Sequence, residues 1–108
     1  MNRPSQRYVL VRFLPSQPLS AEAIERSVYQ SIKQMLGEFG SAEMRARMIG
    51  FEDSSNKAVF RCNAQSVEKL RAVLALMTQI EGNPVAAMVL RSSGTIKALR
   101  ARIRRRGR

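Results

Sequence analysis

The spacing of apolar positions changes along the chain, and each change marks an element. Tyr8 to Leu14 (Tyr-Val-Leu-Val-Arg-Phe-Leu) is β-branched and aromatic, and Pro15 and Pro18 close it, which predicts a strand. Ser20 then stands as the N-cap of a helix in which Ile24, Val28, Ile32, Met35, Leu36 and Phe39 recur at helical spacing, with Gly37 and Gly40 expected to end it. Arg45 to Phe51 and Lys57 to Cys62 read as two short strands, joined by Glu52-Asp53-Ser54-Ser55-Asn56, a hairpin turn in solvent. Asn63 or Ser66 caps a second helix carrying Val67, Leu70, Leu74, Met77 and Ile80, and Gly82-Asn83-Pro84 stops it. Val85 to Leu90 predicts a fourth strand. Gly94 opens a third helical segment with Ile96, Leu99 and Ile103 on one stripe.

Strand, helix, strand, strand, helix, strand is the split βαβ order, because two right-handed β-α-β units interleave into one antiparallel sheet. The expected fold is therefore α+β, a ferredoxin-like or RRM-like sandwich: four antiparallel strands, two helices on one face and a C-terminal basic helix. A chain of 108 residues accommodates one domain. We expect an α/β core over 7–91 and a basic helix and tail over 92–108. Alternation assigns Val9, Val11, Phe13, Met48, Ala58, Phe60, Cys62, Ala86, Met88 and Leu90 to the face under the helices. The other face then shows Tyr8, Leu10, Arg12, Arg45, Arg47, Ile49, Phe51, Lys57, Val59, Arg61, Val89 and Arg91. Arginine mixed with apolar groups suits an interface, or a surface covered by the last helix through Ile96, Leu99 and Ile103.

Charge sharpens this picture. Residues 1–12 hold three arginines and no acid, residues 13–90 hold eight basic and eight acidic side chains, and residues 91–108 hold eight basic side chains and no acid. The net charge of +11 thus sits at the two ends of a neutral body. Such polarisation raises self-repulsion and points to a polyanion, either nucleic acid or an acidic membrane surface. The arginine bias favours bidentate phosphate binding over a merely solubilising tail. No apolar run approaches the ~18 residues of a membrane span, and residues 1–7 lack a leader's small-residue cleavage site, so a cytoplasmic location and no membrane partner are expected.

Independent catalysis is hard to build here. There is no histidine, the single Cys62 excludes both an internal disulfide and zinc-finger spacing, and the acids are scattered. We assign no catalytic residue and no metal ligand; Glu52 and Asp53 belong to the turn. A base-stacking platform of the RNA-recognition-motif kind wants aromatics on the first and third strands, where only Tyr8 qualifies. A phosphate site fits Arg91-Ser92-Ser93-Gly94-Thr95-Ile96-Lys97 better, since free N–H groups, a glycine, hydroxyls and a lysine meet at a helix start. The same residues also make an ordinary capped loop. Beyond them Lys97, Arg100, Arg104 and Arg108 share one sector of the predicted helix. The RNA-binding candidates are Arg7, Arg45, Arg47, Arg91, Ser93, Gly94, Thr95, Lys97, Arg100, Arg104 and Arg105.

Read in order, Arg7-Tyr8-Val9-Leu10-Val11, Leu36-Gly37-Glu38-Phe39-Gly40, Arg61-Cys62 before the run 67–80, and Ser93-Gly94-Thr95-Ile96-Lys97-Ala98-Leu99 resemble the archaeal and eukaryotic ribonuclease P protein component 2 family, over about residues 7–100. The resemblance implies a subunit of the ribonucleoprotein that removes the 5′ leader of precursor tRNA. Hydrolysis is then the work of the RNA, with magnesium that the RNA binds, and no cofactor is held by the protein. It further implies contact with ribonuclease P RNA, pairing with ribonuclease P protein component 3 in a heterotetramer built around a homodimer of this chain, contact with other ribonuclease P protein subunits, and precursor tRNA only indirectly. The eukaryotic relatives also serve a related ribosomal-RNA-processing particle. The arginine density after Leu99 exceeds what the family requires, so Arg102 to Arg108 rest on charge alone. Two other readings remain open at this level: a ribosomal or RNA-chaperone module on the same fold, and a ferredoxin-like interaction or ligand-sensing domain with an incidental tail.

Overall fold

A computed structural model of the chain describes residues 5–14, 17–97 and 99. Strand β1 spans Gln6–Leu14 and helix α1 Ala21–Met44, followed by β2 (Arg47–Glu52) and β3 (Lys57–Asn63). A 3-10 turn at Ala64–Ser66 leads into α2 (Val67–Leu76). A two-residue ribbon, β4 (Gln79–Ile80) with β5 (Asn83–Pro84), precedes β6 (Ala86–Ser93). The main sheet runs β2-β3-β1-β6 with every pair antiparallel, the split βαβ topology expected. Helical backbone resumes at Ile96, Lys97 and Leu99. The rest of the predicted basic helix, with Arg100, Arg104 and Arg105, lies outside the described residues.

The core forms where period-2 and period-3.6 stripes meet. Val9, Val11 and Phe13 of β1 and Ala58, Phe60 and Cys62 of β3 are buried against Ile24, Val28, Ile32, Leu70, Val73 and Leu74. Full burial of a side chain such as Phe13 or Phe60 contributes roughly 1.5–3 kcal/mol. Ser20 caps α1 as expected, its Oγ accepting from Ala23 N–H at 3.0 Å. Neither Asn63 nor Ser66 caps α2 through its side chain; the Asn63 amide donates to the Glu43 carbonyl instead.

Further sequence expectations fail, each for a physical reason. Gly37 does not end α1: its φ of 76° bends the chain, and the helix resumes to Met44 before Arg45 closes it in the left-handed conformation. Gly40 lets the bend close, since a Cβ there would lie 2.7 Å from Leu36 Cβ. Beyond the bend the apolar stripe is rotated, so Met44 is fully buried while Phe39 is 93% exposed; Met35, before the bend, is 44% exposed. Second, α2 stops at Leu76, and Ile80 reaches the core from the β4-β5 ribbon, whose turn residues Glu81 and Gly82 both have positive φ. Third, the strand face of β6 is inverted beyond a bulge opposite Leu10 and Val11. Ala87 and Val89, not Ala86, Met88 and Leu90, pack under the helices. A bulge opposite Val59 and Phe60 does the same to Phe51 of β2, which joins the main core. Fourth, the β2-β3 turn is not simply solvated. Asn56 is fully buried: its Oδ1 accepts from Leu19 N–H at 3.2 Å and its Nδ2 donates to the Gln17 carbonyl at 2.6 Å. Its own carbonyl receives Phe13 N–H at 3.0 Å, so one asparagine ties this turn to β1 and to the loop after it.

Candidate nucleic-acid interface

On the face away from the helices, strand register sorts side chains into three rows across the sheet. The first is Arg47 of β2, Arg61 of β3, Tyr8 of β1 and Ser93 of β6. The second is Gly50, Val59, Leu10 and Arg91, and the third Glu52, Lys57, Arg12 and Met88. The middle row is a small apolar patch. Leu99, arriving from the last helical segment, is fully buried on it against Leu10 and Val59, with Tyr8 and Ile49 packed at its margin. The last segment therefore folds back over the sheet, as Leu99 on the predicted apolar stripe requires. Ile96 is half-buried, and Ile103 lies outside the described residues. Leu99 also occupies the centre of the surface on which an RNA-recognition motif stacks its bases, and Tyr8 is engaged beside it. What remains open to a ligand is the basic rows on either side.

The sequence candidates divide on this geometry. Arg47 stands in the first row, Arg91 at the edge of the second and Ser93 at the β6 end of the first. Arg7 pairs with Cys62 and so leaves β1 toward the helix side, yet its Nη1 comes within 3.8 Å of the position a Cβ on Gly94 would take. That contact is an ordinary one, and Gly94 lies outside the left-handed region, so packing among the described residues does not demand glycine there. Ser93 Oγ accepts from Thr95 N–H at 3.1 Å, the local capped turn that Ser-Gly-Thr also permits. Lys97 is exposed on the helical turn that follows. Arg45 is not part of the group: it is the left-handed cap of α1, its N–H donating to the Ser41 carbonyl at 3.3 Å. Arg12, Lys57 and Arg61 share the open face as alternation predicts, and the register sets Arg47 opposite Arg61 and Arg12 opposite Lys57.

Charge is segregated between the layers. Glu22, Glu25, Glu38 and Glu43 lie on α1, Glu68 on α2 and Glu81 in the β4-β5 turn, all on the helix side. Ion pairs form there: Arg26 with Glu81 at 2.6 Å, Lys33 with Glu38 at 3.5 Å and Arg71 with Glu68 at 3.9 Å. Among the described residues Arg7, Arg47, Arg61 and Arg91 are in no ion pair. Arg12 Nε is buried without a hydrogen-bond partner. Glu52, the acid of the third row, accepts from Ser55 Oγ at 2.6 Å.

Two titrating groups belong to the covered face. Burial pushes the Cys62 thiol up to about 11, which makes it unreactive near neutrality. Burial also holds the Tyr29 phenol above its ordinary value, opposed by the hydrogen bond from Met48 N–H at 3.0 Å and by the Arg47 charge, and reinforced by the Glu25 carboxylate. Among the described residues no group of three or more potential metal ligands gathers, and no helix is long and apolar enough to cross a membrane.

Known proteins resemble this arrangement along nearly its whole length. The model of the Rpp14/Pop5 family matches residues 7–104. Ribonuclease P protein component 2 of Thermococcus kodakarensis is 32% identical over 98 residues, covering 91% of this chain and 82% of the relative. The Methanosarcina mazei protein of the same name is 32% identical over 95 residues, covering 88% and 80%. A chain in the cryo-EM structure of yeast ribonuclease MRP shares the fold, with a TM-score of 0.71 at 12% identity over 89% of this chain and 79% of that one.

Proposed function

The chain belongs to the Rpp14/Pop5 family, and from that premise we propose that it is a protein subunit of ribonuclease P, the ribonucleoprotein that cleaves the 5′ leader from precursor tRNA. The relatives named ribonuclease P protein component 2 support this reading. In it the RNA performs the hydrolysis with its own magnesium, and this chain supplies no catalytic residue, metal or cofactor. Its work is to neutralise and position RNA from the open sheet face, the Ser93-Gly94-Thr95 junction, Lys97 and the arginines that follow. Pairing with ribonuclease P protein component 3 in a heterotetramer, contact with other subunits and a cytoplasmic location belong to the same proposal.

One observation carries the mechanism: the ion pairs and six of the acids lie in the helix layer, while the open sheet face presents Arg47, Arg61 and Arg91 in no ion pair among the described residues, with Glu52 as the acid of its third row. Contacts of this kind neutralise phosphates and brace an RNA fold without reading its sequence. Braced in this way, the RNA needs less magnesium. Reconstitution of the particle with and without residues 100–108 tests the role of the basic end: the truncated protein is expected to shift the magnesium optimum upward. Equal activity at every magnesium concentration removes the basic end from the mechanism.

A further inference from the structure

We infer that Arg47 and Arg61 together form a seat for a single backbone phosphate of RNA on the open sheet face, a site that rests on the RNA-binding reading and gives it an address.

The first row of the sheet is built against its own electrostatics. Arg47 and Arg61 are directly opposed across β2 and β3, a placement in which like charges repel and destabilise the pair. Nothing in the row relieves them, because the neighbours on β1 and β6 are Tyr8 and Ser93. The third row makes the contrast: there Lys57 and Arg12 are also opposed, but Glu52 stands beside Lys57 on β2. Arg47 is exposed and Arg61 half-buried. Tyr8 closes the inner side of the row by packing on the Leu10, Val59 and Leu99 cluster.

Two guanidinium forks on directly opposed positions of adjacent strands suit the oxygens of a phosphodiester, which accepts from both at once and cancels their repulsion. At the β2 edge of the row Arg47 also lies within electrostatic reach of Tyr29 on α1, which Glu25 contacts, while no carboxylate stands in the row itself. A shared seat has a signature that two independent contacts lack. Losing either arginine empties most of it, and losing the second removes little more.

The test is a salt titration of binding between the full chain and the ribonuclease P RNA of the same source, with Arg47→Gln, Arg61→Gln, the double variant and Lys69→Gln on exposed α2 as the charge-matched control. Wild type and Lys69→Gln should show equal slopes of log K against log salt. Each single variant and the double should lose the same increment, about 0.7 to 0.9, the equivalent of one phosphate contact. Thermal midpoints of the free variants should equal or exceed wild type, because a repulsion has been removed; a drop in both single variants would mark a structural pair and overturn the seat. A double variant losing twice the single increment means two separate contacts, and also overturns it. An unchanged slope in the variants, with wild type still salt-dependent, discards the seat and leaves the RNA reading standing. Salt-independent binding by wild type defeats both.

Discussion

The two faces of one sheet carry different kinds of side chain and are held by different physics. Under the helices, Val9, Val11, Phe13, Ala58, Phe60 and Cys62 meet two amphipathic helices and exclude water completely. On the open face, among the described residues, the short row of Leu10 and Val59 is dry, capped by Leu99, and opposed basic side chains stand on both sides of it. The covered face spends its residues on stability. The open face keeps charge that the fold does not need, and that is the mark of a surface meant for a polyanion.

The largest expected effect breaks the covered face. Phe60→Ala opens a cavity in the main core and should cost about 3–5 kcal/mol, enough to consume much of the stability of a domain this size; a denaturant midpoint close to wild type would contradict the packing described. Leu99→Ala probes the other face and should cost less, about 2 kcal/mol, because Leu99 covers a small patch whose neighbours can readjust. Its more informative consequence is a newly exposed Leu10 and Val59, read as increased binding of a hydrophobic dye without global unfolding. The third prediction separates the faces by pH. Cys62 and Tyr29 have raised folded values, so the stability tied to their neutral forms is present below the ordinary value and lost as pH rises through the folded one. For Cys62 that window runs from 9.0 to about 11. Chemical denaturation across this range should show falling stability, with a shallower decline in Cys62→Ala; parallel curves would show that the thiol contributes nothing to it.

Much of this was legible before any coordinates. The strand at Tyr8, the Ser20 cap, the second and third strands and the order of elements follow from local chemistry, because β-branched runs, a serine before a helical stripe and proline punctuation act within a few residues. The face of β6 was not legible. A bulge adds one residue opposite its neighbour strand and reverses parity, and nothing in Val85 to Leu90 announces it. The bend at Gly37 was equally hidden, since glycine after a helical run ordinarily marks an end. Asn56 looked like turn chemistry, and its burial depends on a loop that lies far away in sequence.

The interface divides in the same way. Charge at the chain ends, the Ser93-Gly94-Thr95 junction and the apolar stripe through Leu99 are properties of the sequence alone; charge points only to a polyanion, and the resemblance to the family is carried by the motifs at 7–11, 36–40, 61–62 and 93–99 and the run 67–80. Which arginines stand together is decided only in the folded chain. Arg47 and Arg61 are neighbours because β2 and β3 pair in one register, and Arg45, two residues from Arg47, is removed from them because its backbone turns left-handed to close α1. Local composition sets what a residue can do, while strand pairing, through hydrogen bonds between distant segments, sets what it does it with.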